Sequence, residues 1–355
     1  MPLPPLRVTP LLKARAWGGR RLSALGKAVA AAPAPPIGES WEIAELGPPV
    51  ADGISRVADG PFAGTTLASL MATHRAALLG GAHDSDGRFP LLVKYLDAAE
   101  HLSVQVHPTA AYAAAHPGSH LKTEAWFVVA ALPGAAVYRG IRADVTPNAF
   151  RRAIADGTAV DCLLRVPVAP GDFVPLESGL CHALGAGVLV AEVQTPSDTT
   201  FRVFDWHRND PARPLHVEQA MECTLFGRDQ RLDEAPILSA AGEAFGWSDG
   251  LRIAPLCSNR HFTIESLEAS PAGDASPIEF VRSEGPTVLM VTRGEAVLDM
   301  PSGRCDRLEA GSTVLFPSDT VPTRVHLAPT AVALRVTVVP PILRQDAAHR
   351  TWKST

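Results

Sequence analysis

Four side chains spread over three segments have the types and spacing to hold a divalent metal. In Leu102-Ser103-Val104-Gln105-Val106-His107-Pro108 the apolar residues alternate with Ser103, Gln105 and His107. In a strand, residues two apart project to one face, so Gln105 and His107 point together. Buried in an apolar strand, the amide and the imidazole need partners, and each could satisfy the other by hydrogen bonding. In Lys122-Thr123-Glu124-Ala125-Trp126-Phe127-Val128, alternation sets Glu124 on the face of Trp126 and Val128. A carboxylate entering an apolar strand wants a metal or a cation, and Lys122 is the nearby alternative. His182, after Gly179 and before the apolar run Val188–Ala191, supplies a second imidazole. Two imidazoles, a carboxylate and an amide oxygen form an N/O donor set. Zinc suits it best, with one coordination position left open for substrate or water.

These residues must be held by short elements. Thirty-two prolines and twenty-eight glycines punctuate many apolar runs. The runs include Leu91–Leu96, Leu102–Val106, Ala125–Ala130, Ala135–Tyr138, Gly187–Gln194, Phe262–Leu267, Thr287–Val291, Ala296–Met300, Thr313–Phe316 and Ala331–Val339. Their Val, Ile and Phe content and their turn-rich borders predict strands of a sandwich or barrel. Helices are expected at Leu67–Ala77 and, after Thr146-Pro147, at Asn148–Asp156. Ala169-Pro170-Gly171-Asp172 is echoed by Glu309-Ala310-Gly311-Ser312, each after a strand–Gly–strand pattern. The echo predicts two β-barrels in tandem, with chance similarity between β segments as the alternative. The expected division is 1–235 and 236–355, joined through the polar stretch Arg228–Glu234.

The whole chain narrows the function classes. Its 355 residues, 46% hydrophobic and 19% charged, carry a mild net charge of -5 and no long single-sign run. That argues against nucleic acid as a partner. Five scattered cysteines without a CxxC pair point to reduced thiols, neither a disulfide framework nor a thiolate zinc site. No segment reads as a secretory signal or a membrane span. A soluble, cytoplasmic protein, monomeric or a weak homodimer, is expected.

The segments LSVQVHP, KTEAW, GLCHA and EVQTPSDTTFRVFD, in this order, resemble the signatures of type I phosphomannose isomerases, a metal-dependent cupin family. Trp17-Gly18-Gly19, IGESWE at Ile37–Glu42 and FPLLVKYLDA at Phe89–Ala98 resemble it too, so the match runs over roughly residues 10 to 220. The modest stretch between Tyr138 and Val168 resembles the short bacterial form. The resemblance implies a mainly β fold of two tandem cupin-type jelly-roll barrels with a few short helices, the second barrel metal-free. It implies one zinc per chain on Gln105, His107, Glu124 and His182, and Arg202 as a catalytic arginine. Glu192 matches an acidic active-site position, either catalytic or ion-paired with Arg202. Ser103, Lys122, Arg208 and Trp17 match positions contacting the substrate or its phosphate. The implied reaction interconverts mannose 6-phosphate and fructose 6-phosphate through a cis-enediol, with Lys122 or a metal-bound water as base. Departures at Thr109-Ala110, Glu177 and Cys181 leave other sugar phosphates or a free aldose as alternative substrates. An iron-dependent cupin oxygenase and a non-catalytic sugar-binding cupin are the rivals of another class, and Arg202 within DTTFRVFD argues against the first.

Overall fold

The computed structural model describes residues 2–340 apart from 83, 84, 209, 212, 235 and 240–245. Among these the named strands pair antiparallel in four sheets, as expected for a mainly β chain. The first seven-stranded sheet runs, in spatial order, Leu238–Ser239, Asp172–Leu176, Glu124–Ala131, Val188–Gln194, Leu92–Asp97, Ile37–Ile43 and Leu11–Gly19. A five-stranded sheet, Phe201–Phe204, Val104–Val106, His182–Leu184, Ala136–Ile141 and Leu163–Pro167, accompanies it. Side chains of both sheets, including Leu96, Trp126, Val137, Val174, Leu184 and Val190, form one buried cluster.

Every residue of Leu92–Asp97 and of Val188–Gln194 is buried. Such strands read as continuous apolar runs because both their faces are covered. One face contributes to the cluster just described. On the other, Val93, Tyr95, Phe127 and Val193 pack with Phe262, Ile264, Val288 and Val336 of a second seven-stranded sheet. A four-stranded sheet, Ile278–Phe280, Thr323–Leu327, Glu295–Asp299 and Cys305–Glu309, shares a further core with that second large sheet.

All ten apolar runs singled out above overlap strands. The helices form at Leu67–Leu79 and Pro147–Ala155, each capped by a threonine: Thr66 accepts from the amide of Ser69, Thr146 from that of Ala149. Among the described residues the short helices Ala110–Ala115 and Val217–Cys223 complete the α content. Phe150, Ile154, Ala220 and Cys223 cover the outer face of the five-stranded sheet by packing on Val106, Ala183 and Val203. Among the described residues no helix is long and apolar enough to cross a membrane.

The division expected at 235/236 differs from the hydrogen bonding on both sides. Residue 235 itself, and 341–355 of the expected second unit, lie outside the described residues. Leu238–Ser239 completes the edge of the first large sheet by pairing with Asp172 and Phe173. Conversely, Leu6–Thr9 pairs with Thr313–Phe316 and Arg56–Val57, so the N-terminal segment extends the second large sheet. Pairing partners some 300 residues apart leave no local sequence pattern, which is why the linear reading missed them.

A buried ion pair ties the two large sheets together. The Lys27 ammonium donates to Glu42 Oε2 and to the Gly311 carbonyl, both at 2.8 Å, while Ser40 donates to Glu42 Oε1. Burial raises the Glu42 carboxyl above its ordinary range, against the pull of Lys27. Gly311 has a φ of +92°, and a Cβ there would meet the Leu25 carbonyl oxygen at 2.1 Å. Only glycine allows this approach. Lys27→Ala strands a buried carboxylate and should cost about 3–5 kcal/mol, whereas Lys27→Met with Glu42→Leu should cost far less. Chemical denaturation of the two variants checks this; equal losses would make the site a packing feature only.

Candidate metal centre

The three potential ligands His107, Glu124 and His182 are brought from three places to one point. Their ligand atoms all lie within 4.8 Å of one another, and all three side chains are buried. Glu124 opens its strand beside Leu176 on one side and Gln194 on the other. His182 lies directly across from Gln105 in the five-stranded sheet. His107 follows the end of the strand Val104–Val106, just before Pro108.

The hydrogen bonds of the imidazoles fix which nitrogen faces the centre. His107 Nδ1 is 3.2 Å from the Thr199 carbonyl and His182 Nδ1 is 2.8 Å from that of Leu180. A carbonyl only accepts, so both Nδ1 atoms carry the proton and both Nε2 atoms present lone pairs. These lone pairs face Glu124, His182 Nε2 at 3.0 Å from Oε1 and His107 Nε2 at 3.3 Å from Oε2. Burial, with Lys122 beside it, pushes the His107 imidazole down to about 3, so it is neutral near pH 7. Burial alone would raise Glu124, but the Lys122 ammonium holds it well below the usual carboxylate range.

Two neutral acceptors and an anion thus converge in a buried site, and Glu124 has both oxygens without a hydrogen-bond partner in acceptable geometry. Such a set requires a cation. The Lys122 ammonium lies at its edge, 2.8 Å from Glu124 Oε2 and 3.1 Å from His107 Nε2. The donor chemistry fits zinc, and the amide of Gln105, 3.5 Å from His182 Nε2, could present its oxygen after a half-turn. Ser103 donates toward Gln105 Oε1 at 3.4 Å.

Arg202 is the cross-strand partner of Gln105, as Arg139 is of His182, so two arginines flank the two donors in one row. Arg139 was not singled out from sequence; it is buried and donates from Nε to the Pro175 carbonyl of the other sheet. The pairing considered between Glu192 and Arg202 does not form. Glu192 faces Lys94 and Trp126 across its two neighbouring strands, 3.2 Å from the Lys94 ammonium and accepting the Trp126 indole N–H at 2.8 Å. Trp126 in turn sets its ring edge-on to His182. Lys94 also lies 3.6 Å from Glu39. Burial would raise Glu39, but Lys94 and Arg15 bring it down to about 2. Lys94 was legible only as a lysine in an apolar run, a signal that an inward charge is waiting for a partner.

Two expected substrate contacts are engaged elsewhere. Trp17 is 3% exposed and packs in the core cluster with Leu96 and Trp126. Arg208 donates to Asp205 Oδ1 at 2.7 Å and to the His101 carbonyl at 2.9 Å, while its buried Nε has no hydrogen-bond partner. In the other half, His326 lies 3.1 Å from Asp299 on the four-stranded sheet.

Residues 6–128 match the family described as phosphomannose isomerase type I, catalytic domain. The mannose-6-phosphate isomerase of Streptococcus mutans is 36% identical over 270 residues, 75% of this chain and 79% of that protein. A putative mannose-6-phosphate isomerase of Bacillus subtilis is 31% identical over 320 residues, 88% of this chain and 93% of its own length. Among solved structures, a mannose 6-phosphate isomerase from Bacillus subtilis superposes with a TM-score of 0.77 at 28% identity, covering 94% of this chain and 99% of that one.

His107→Ala and Glu124→Ala should each remove most of the bound metal, while Glu192→Gln, which keeps the donor set, should retain it. Metal analysis of the purified variants decides; stoichiometric zinc in Glu124→Ala would sink the assignment.

Proposed function

The chain belongs to the type I phosphomannose isomerase family, and from that premise we propose that it is a zinc-dependent isomerase interconverting mannose 6-phosphate and fructose 6-phosphate. The observation that carries the metal dependence is the convergence of two imidazole lone pairs and a carboxylate on one buried point. Gln105 is the fourth donor, through its amide oxygen. Zinc held there supplies Lewis acidity toward an oxygen of the sugar.

The remaining work falls to the chain's own side chains. Exchange of aldose and ketose moves one proton between C2 and C1, by way of a cis-enediol. Lys122, as its neutral amine in the reacting complex, would take the proton from C2 and return it to C1 while the hydroxyl proton passes from O2 to O1; its Nζ reaches the donor set from the side. Arg202, in the row of Gln105 and His182, places positive charge beside the oxygen that becomes anionic. Glu192 holds Trp126 as the wall behind His182, with Lys94 balancing its charge in the dry interior. Lys122, Glu192, Lys94 and Trp126 are buried, which strengthens their electrostatic contacts, while Arg202 is only half-buried.

Coupled assays with mannose 6-phosphate should give turnover that is lost on dialysis against a chelator and restored by zinc. Full turnover of metal-free protein would overturn the proposal. Arg202→Lys should fold and keep its zinc, yet lose kcat by about 100-fold, because an ammonium cannot reproduce the planar fork. A changed KM with an unchanged kcat would reduce Arg202 to a binding residue.

A further inference from the structure

Glu124 and His182 belong to different sheets, and one side chain joins those sheets beside them. It comes from Ala136–Ile141, the strand between His182–Leu184 and Leu163–Pro167. Pairing with Leu163–Pro167 is regular from Ala136 to Tyr138, then slips, and resumes only at Ile141 opposite Leu163. Arg139 and Gly140 fall in this irregularity. Gly140 has a φ of +83°, and a Cβ there would meet Gln230 Oε1 at 2.7 Å. Gln230 is buried and binds both backbone groups of Ile141 as a neighbouring strand would. Its Oε1 accepts the Ile141 N–H at 2.6 Å, and its Nε2 donates to the Ile141 carbonyl at 2.9 Å. Irregularities of this kind re-aim a side chain next to a site. Here the residue is Arg139, which keeps its place directly across from His182.

The acceptor is prepared on the facing sheet. In the strand Asp172–Leu176, Leu176 lies across from Glu124 and Pro175 across from Ala125. Residues of an antiparallel pair alternate between those whose backbone groups meet the neighbour and those whose groups point away. Pro175 has no N–H to give, so it suits the second position, and its carbonyl points to the outer side of the strand. On that side, among the described residues, pairing with Leu238–Ser239 reaches only Asp172 and Phe173. Arg139 Nε donates to the Pro175 carbonyl at 2.8 Å. One end of this bond is thus the cross-strand partner of His182. The other end is the neighbour of the residue across from Glu124.

We propose that Arg139 is a positioning residue for the metal centre, its bond to Pro175 setting the separation of the two sheets at His182 and Glu124. The inference rests on the metal-dependent reading of the site and names a residue outside the donor set. His182 Nε2 and Glu124 Oε1 stand 3.0 Å apart, an acceptor facing an acceptor. Nothing in that contact holds the sheets together before a cation arrives. A strut one residue away does, and donors held at their working distance lose less freedom when they bind the ion.

Competition for zinc between the purified full-length protein and a chromophoric chelator tests the assignment. Arg139→Met and Arg139→Gln carry side chains of equal length, but only glutamine keeps an N–H donor at the place of Nε. Both remove a positive charge near the ion, so net charge alone would tighten zinc in both. Positioning requires Arg139→Met to bind zinc about tenfold more weakly or worse, and Arg139→Gln to stay close to the unaltered protein. Arg335→Met, which breaks an ion pair with Glu265 on the second large sheet, should leave zinc affinity unchanged. Should Arg139→Met fail to fold, Arg139→Thr suits a strand, and its hydroxyl stops two atoms short of Pro175; it should show the same loss. A merely structural role would lower the unfolding temperature of Arg139→Met and leave the zinc affinity of the folded protein where it was. Zinc affinity unchanged or tightened in Arg139→Met, or equally weakened in Arg139→Gln, would overturn the inference. Absence of zinc binding by the unaltered protein would instead overturn the proposed metal dependence, and this inference with it.

Discussion

Two imidazole lone pairs and a carboxylate cannot be buried against one another unless something positive lies between or beside them. That constraint organises the catalytic half of the molecule. The backbone carbonyls of Thr199 and Leu180 commit each imidazole to one tautomer, so the repulsion is fixed rather than relaxed by a proton shift. The two sheets that carry Glu124 and His182 must then hold their spacing against it. They do so through a shared core of large side chains, of which Trp126 touches both Glu192 and His182.

Charges alternate through the interior for the same reason. Arg15 faces Glu39, Glu39 faces Lys94, and Lys94 faces Glu192, each lying within ion-pair distance of the next. A single buried ion of this series would be costly, whereas the alternating chain compensates its two middle members, Glu39 and Lys94, on both sides. The second pair of sheets contributes to this economy indirectly. By covering the outer face of Leu92–Asp97 and Val188–Gln194 it keeps the strands that carry Lys94 and Glu192 dry on both sides.

Much of this was legible in the sequence because the signals are local. Apolar runs with turn residues at their ends located the strands, and period-two alternation set Gln105 beside His107 and Glu124 beside Trp126. Helix-start signals and helical spacing located both longer helices. What escaped was set by register between distant strands. Glu192 could be paired with Arg202 on paper because both lie in one motif, yet sheet order brings Lys94 opposite Glu192 and leaves Arg202 in the other sheet. Arg208 looked available for an anion because the turn at Trp206 and His207 has no glycine to announce it. Trp17 is an aromatic in a signature segment, and nothing local distinguishes one that packs from one that binds.

The strand Leu6–Thr9 has a consequence for synthesis. These residues leave the ribosome some 300 residues ahead of the strand Thr313–Phe316, with which they pair. At translation rates of about 5–20 residues per second the N-terminal strand waits on the order of 15–60 seconds for its partner. During that interval Leu6 and Val8, which end up in the core between the large sheets, have only the two-residue strand Arg56–Val57 to pair beside. The first large sheet and its five-stranded companion can assemble in the meantime, but the second large sheet is completed only when these two distant strands meet.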